Sequence, residues 1–296
     1  MRSYKSYKEV KKESEKRSWG FAVSSVKEKI REWPKDAGLV QTQLGADMKA
    51  PIRKALDYFG VKKSARPIVV AAGFTGNFAR AVEAAGRGKV IFTDMYTPWV
   101  TRAKRGIQLS KTGRDKSAKP MRGFVMDLEK PHIDDKKISA MISFEPTPLG
   151  EGFNKTVLPN LGSQNGFIIA TGSKMFDYSA PNSWAAKTDL RLFRTYGVQT
   201  RMIMLGDKKK ITFIQFKIPE ERRRNYLFDR ECYELVRHRG ESVGKVAERL
   251  GVSEKRVMSA YRRYESVARG GRYKKNKQQP YFNPDYMDYD YKTVRS

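Results

Sequence analysis

Cysteine is almost absent from this chain. A single residue, Cys232, in 296 leaves no intramolecular disulfide and no metal site built on several cysteines. Histidine is nearly as scarce: His132 and His238 are the only two, which argues against a His-rich zinc site and against a Ser-His-Asp triad. No apolar run reaches the ~18–20 residues needed to cross a bilayer. The opening Met1-Arg2-Ser3-Tyr4-Lys5 carries no apolar signal region, and Glu9, Glu13 and Glu15 follow, so neither a secretory nor a transit peptide is expected. The expectation is a soluble, intracellular protein, cytoplasmic or nucleoid-associated. Acidic residues are the last shortage. Against 32 Asp and Glu stand 60 Lys and Arg, a formal net charge of +28. That excess raises self-repulsion in the compact state and favours polyanionic partners, nucleic acid ahead of an anionic membrane surface.

What is present suffices for a core: 39% of residues are hydrophobic and 11% aromatic. Residues 1–65 read as a basic N-terminal helical region. Phe21, Val23, Val26 and Ile30 recur at helical spacing up to Pro34. A second helix is expected from about Asp47 to Phe59, with Ile52, Leu56 and Phe59 on one face and Gly60 at its C-terminal end. From 66 to 218 short apolar runs alternate with helical stretches. The runs are Ile68–Ala72, Val90–Thr93, Gly123–Met126, Ala140–Phe144, Phe167–Ala170, Gln199–Leu205 and Ile211–Lys217. This pattern predicts an α/β domain with a mostly parallel, seven-stranded sheet. Only Gly206–Lys210 separates the last two runs, too little for a parallel crossover, so they are expected to form an antiparallel pair. Glu220-Glu221-Arg222-Arg223-Arg224 reads as a linker. The rest of 219–268 reads as a small all-α domain, and 269–296 as a disordered, basic, Tyr-rich tail.

The first apolar run leads into Gly73-Phe74-Thr75-Gly76-Asn77, a glycine turn between strand and helix that lets a ligand approach the backbone and the helix N-terminal amides. Asp94 closes the second run and Asp127 follows the third. A carboxylate at the first position can accept hydrogen bonds from ribose hydroxyls, and one at the second can receive an adenine amino group. The alternative for each is a strand-end cap or a solvated loop acid. Through these residues, the Phe144-Glu145-Pro146-Thr147-Pro148 segment and the terminal antiparallel pair, residues 66–217 resemble a class I S-adenosylmethionine-dependent methyltransferase. The resemblance implies a Rossmann-like methyltransferase fold. It also implies S-adenosylmethionine as cofactor, held by Gly73, Thr75, Gly76, Asp94 and Asp127, with Glu145 as the catalytic or substrate-orienting carboxylate. The chain departs from the family pattern where Ala71 and Ala72 precede the turn and Thr75 stands in place of a glycine. Cys232 lies outside this region, which excludes cysteine-dependent attack on a pyrimidine ring.

Between the second and third runs, residues 101–123 hold eight cations, among them Arg102, Lys104 and Arg105, against the single acid Asp115. Broken by Gly106, Gly113 and Pro120, the segment reads as an irregular phosphate-contacting stretch close to the site edge. Further on, Val246-Ala247-Glu248-Arg249-Leu250-Gly251-Val252-Ser253-Glu254-Lys255-Arg256-Val257 resembles the helix-turn-helix of bacterial and archaeal DNA-binding regulators. Val246 and Leu250 are expected in its core, Gly251 in the left-handed turn and Ser253 at the next N-cap, with Tyr233, Leu235 and Val236 completing the core. Its outward face carries Lys255, Arg256, Ser259, Arg262 and Arg263, the first two placed to approach base edges. The alternative is a helical hairpin docked on the α/β domain or on a protein. The expected function is a nucleic-acid-binding protein, a DNA or RNA methyltransferase with DNA favoured. The alternative is a catalytically inactive methyltransferase-like scaffold in a DNA-binding regulator or chromosome-associated protein. A weaker reading is an RNA-associated factor using the basic segment and tail.

Overall fold

The computed structural model describes residues 48–71, 76–94, 97–109, 115–128, 131, 133–144, 157–171, 190–205, 211–268 and 287–288. The expected helix through Phe21 and Ile30, His132 and all but two residues of the tail lie outside these. The second expected helix is α1, Lys49–Tyr58. Then come β1 (Ile68–Ala71), α2 (Asn77–Ala84), β2 (Val90–Asp94), α3 (Thr97–Lys104), β3 (Ile107–Leu109), β4 (Asp115–Ser117), β5 (Gly123–Val125), β6 (Ala140–Phe144) and β7 (Phe167–Thr171). The remainder is α4 (Leu190–Tyr196), β8 (Gln199–Leu205), β9 (Ile211–Lys217), α5 (Glu220–Tyr233), α6 (Val243–Leu250), α7 (Glu254–Ala268) and the two-residue β10 (Met287–Asp288).

The main sheet runs β10-β8-β9-β7-β6-β1-β2-β5. Strands β5, β2, β1, β6 and β7 are parallel, and β9 enters antiparallel between β7 and β8. This is the mixed sheet of a Rossmann-like methyltransferase fold, with the antiparallel pair where the short 206–210 connection requires it. The apolar runs are buried on both faces because helices cover both. Ile68, Val70, Phe92, Ile142 and Phe213 pack with α1, α2 and α3 on one side. Val69, Ala71, Met141, Ile169, Ile214 and Phe216 pack with α4, α5 and α7 on the other.

That second layer corrects the expected linker. Residues 220–224 form the opening turns of α5, and α5 lies on the sheet face through Tyr226, which is fully buried and donates its hydroxyl to the Leu158 carbonyl. Arg223 donates to the Gly162 carbonyl, and Arg230 donates to the Pro159 carbonyl at 3.0 Å and pairs with buried Asp135 at 2.6 Å. The guanidinium of Arg230 loses hydration on burial, but the adjoining Asp135 charge more than restores its proton affinity and keeps it charged. Tyr264 and Val267 of α7 join the same core. Two further differences concern short elements. The basic segment is not irregular throughout: Arg102 and Lys104 occupy the last turn of α3, and β3 and β4 form an antiparallel hairpin. Within the tail, Met287 and Asp288 pair with Thr200 and Arg201 of β8.

Three buried tyrosines make this layer sensitive to alkali. Burial raises the hydroxyl pKa of Tyr196, with Asp229 adding to it, and burial likewise raises those of Tyr226 and Tyr264. Unfolded, they ionise near pH ~10, whereas folded they keep their protons, so stability is full below that pH and falls above it. The melting temperature is expected to drop between about pH 9 and pH 11, and the drop should be shallower in Tyr196→Phe. An identical pH profile in wild type and Tyr196→Phe contradicts this.

Candidate functional sites

Two regions carry the candidate residues, at opposite ends of the strands. The first is the carboxyl edge of the parallel strands. Chain order reverses between β1 and β6, which are neighbours with Ala71 opposite Ser143, and in open α/β sheets the crevice for a ligand opens at such a reversal. Gly76 caps α2 with φ 77°, a left-handed conformation costly for any residue with a Cβ. Asp94 is the last residue of β2, only 6% exposed, and sits opposite Val125 of β5. Asp127 lies two residues past β5 and is half-buried. The backbone amide of Met126 donates to the Asp94 carbonyl at 3.0 Å, tying the two strand ends together. Gly76, Asp94 and Asp127 therefore border one edge. Gly73, Thr75 and Glu145 lie outside the described residues. Among the described residues no group of His, Cys, Asp and Glu side chains could hold a metal ion.

The sequence places the basic segment close to this edge, but its cations at the end of α3 do not border it. The amide of Met121, just before β5 begins, donates to the Ala103 carbonyl at 3.0 Å. Arg102, Lys104 and Arg105 thus sit at the amino rim of the sheet. The Arg102 guanidinium stands 5.8 Å from the Trp99 ring centre.

The second region is the α5–α6–α7 unit. Val246, Ala247, Val257 and Ala260 are buried with Cys232 and Leu235, and Val236, Leu250 and Val252 pack around them. Gly251 ends α6 in the left-handed conformation, φ 64° and ψ 38°. Ser253 accepts from the Arg256 amide at 3.4 Å. A π-helical turn over Glu234–His238 follows α5, and Tyr233 leaves this core to pack against Tyr264, 4.9 Å between ring centres. Burial pushes the Cys232 thiol up to about 11, which makes it an inert core residue.

Lys255, Arg256, Ser259, Arg262 and Arg263 are all exposed, but they are not equivalent. Arg263 grips the fully buried carboxylate of Asp229 with two hydrogen bonds, at 2.6 and 2.7 Å, and Tyr196 donates to the same carboxylate at 3.0 Å. The charge of Arg263 is spent inside the fold. Arg256 lies over the Phe228 ring at 5.1 Å. Arg222 and Asn225 of α5 and Thr195 of α4 face Lys255, Arg256 and Ser259 across an open cleft. None of these three is a candidate from the sequence alone: Arg222 falls in the expected linker, and Asn225 and Thr195 join the cleft only through the packing of α5 and α4. The usable signal was Tyr226 and Tyr233, seven residues apart on one helical face.

No protein-family model matches the chain, and neither does any curated protein. Solved structures do resemble it. A Thermoplasma acidophilum protein is 14% identical, the match covering 63% of this chain and 98% of that one at a TM-score of 0.37. The methyltransferase domain of bacterial CtHen1 is 16% identical, covering 60% and 98% at 0.37. A SAM-dependent methyltransferase from Aquifex aeolicus is 15% identical, covering 56% and 88% at 0.35. With likeness this low, the fold assignment rests on strand order and direction.

Arg263→Ala is expected to behave as a stability variant. It removes two of the hydrogen bonds to the buried Asp229 carboxylate, at a cost of about 1–3 kcal/mol, toward the low end because Arg263 is half-exposed. Thermal unfolding with and without a matched Arg262→Ala control checks this; equal melting temperatures for the two variants contradict it.

Proposed function

We propose that this chain is a nucleic-acid-binding protein whose α/β domain is a SAM-dependent methyltransferase acting on DNA or RNA. The observation that carries the reading is the pair Asp94 and Asp127 on adjacent strand ends, beside the left-handed Gly76 and the β1/β6 reversal. These residues fit S-adenosylmethionine: Asp94 would accept from ribose hydroxyls and Asp127 from the adenine amine, while Gly76 supplies the left-handed turn that opens α2 beside them. When bound, the cofactor supplies a methyl group on a sulfonium. Glu145, following the end of β6, is the carboxylate proposed to orient the acceptor amine and take up its proton. The helix-turn-helix formed by α6 and α7 contributes nucleic-acid contacts through Lys255, Arg256, Ser259 and Arg262. Arg102, Lys104 and Arg105 add contacts to phosphate. The net charge of +28 supports a polyanionic partner, with DNA favoured.

A second reading has its own support. The cations of α3 and those facing the α5–α7 cleft gather at the amino rim, where β5 begins and where β9 leads into α5, opposite the edge that carries Asp94. A methyltransferase-like scaffold that binds nucleic acid without modifying it needs no path between the two ends. It also accommodates Ala71 and Ala72 before the glycine turn.

Calorimetric titration with S-adenosylmethionine separates the readings. Saturable binding, weakened by Asp94→Ala about tenfold or more, is expected of the enzyme. No heat at millimolar cofactor selects the scaffold. For either reading, neutralising about 6–10 phosphates should lower nucleic-acid affinity roughly 10³–10⁵-fold between 50 and 200 mM salt, and a flat salt response contradicts both.

A further inference from the structure

The cleft between α5 and the N-terminal half of α7 has a volume of about 560 Å³. One wall presents Arg222 and Asn225; the other presents Ser253, Lys255, Arg256 and Ser259, and all six are exposed. Among the described residues no carboxylate lines it. Arg263 also borders it, but its charge is answered by Asp229. Apart from Tyr196, whose hydroxyl is given to Asp229, the remaining polar groups are three cations, the hydroxyls of Thr195, Ser253 and Ser259, and the Asn225 amide, all of which can donate hydrogen bonds. Such a set suits an anion rich in acceptor oxygens that enters from solvent. Phosphate oxygens match it better than a carboxylate peptide because guanidinium groups stand on both walls and phosphate can be met from several directions. The Phe228 ring, with Arg256 held over it, adds an aromatic surface beside the cations.

We infer that this cleft grips the phosphodiester backbone of a single strand, with Arg222 and Asn225 closing against the cations of α7. The inference rests on the nucleic-acid reading above and names the form of its ligand. A helix that reads a duplex must protrude into a major groove about 12 Å wide. Here α5 stands opposite the N-terminal half of α7, so that half forms one wall of a concavity. Arg256, turned over Phe228, is then a phosphate contact that weakens all sequences alike when removed, and not a reader of bases.

The test measures binding of a fluorescent single-stranded oligonucleotide and of its duplex by anisotropy. Wild type is compared with Arg222→Glu and with Lys245→Glu, which makes the same charge reversal on α6, outside the cleft. The melting temperature of each variant is checked first, and Asn225→Asp serves as a milder change on the same wall. Wild type is expected to prefer the single strand, Arg222→Glu to lose about tenfold or more, and Lys245→Glu less than about threefold. Equal losses from the two reversals overturn the inference, since they reflect net charge alone. Preference for the duplex with Arg222→Glu silent overturns it while leaving α7 as a nucleic-acid contact. Displacement of the oligonucleotide by polyglutamate or a mononucleotide at equal charge overturns it in favour of those ligands. Absence of any nucleic-acid binding by wild type rejects the underlying reading itself.

Discussion

A carboxylate with no access to solvent must be answered by donors, and Asp229 is answered from two other helices. Tyr196 reaches it from α4 and Arg263 from α7, while Asp229 itself belongs to α5. Burying an ion in a low-dielectric interior is costly unless geometry and hydrogen bonding are close to complete. The constraint therefore runs in one direction: once α5 lies on the sheet, α4 and α7 are held to it. The position of α7 decides which of its cations remain available, and so decides the form of the cleft. Asp135 and Arg230 repeat the principle where α5 meets the turn before β6. Aromatic packing of Tyr196, Tyr226 and Tyr264 fills the space between these polar fastenings.

The same arrangement separates two kinds of chemistry. Parallel strands place Gly76, Asp94 and Asp127 at their carboxyl ends, while the return path of α3 carries Arg102 and Lys104 to the amino ends. Because β9 runs antiparallel, it delivers the chain to that amino rim, and α5 starts there with Arg222. From β5 to β8 the sheet spans roughly 30 Å at about 4.8 Å per strand. A polyanion following the rim would meet both cationic clusters without approaching the carboxyl edge. Sidedness, more than any single residue, is what distinguishes an enzyme that draws its substrate around the sheet from a scaffold that does not.

Much of the sheet was legible in the sequence because strands buried on both faces leave continuous apolar runs. Each expected strand is present to within a residue at either end. The left-handed Gly251 and the Ser253 cap were equally legible, since both are local requirements of a tight turn between helices. A helix carrying Tyr233 is expected from the sequence, but the opening turns of α5 and its seat on the sheet were hidden for a physical reason. Its buried face includes Tyr226, Asp229 and Arg230, and the two charged residues are buried only because distant partners, Asp135, Tyr196 and Arg263, satisfy them. Beyond Tyr226 and Tyr233, no periodicity of apolar residues announces such a face. Arg263 was misjudged for the same reason: its partner lies 34 positions earlier. At the carboxyl edge, the places of Asp94 and Asp127 at or just past their strand ends were legible from the apolar runs they follow.

The central claim is that α5 and α7 are a layer of the α/β domain and not part of a module on a linker. Native-state hydrogen exchange tests it most directly. If the claim holds, the amides of Tyr226–Cys232 in α5 exchange with the same opening free energy as those of β7 and β9, in one cooperative unit. If α5, α6 and α7 open together at markedly lower free energy while β7 and β9 stay protected, the helices are an independent module and the account is wrong.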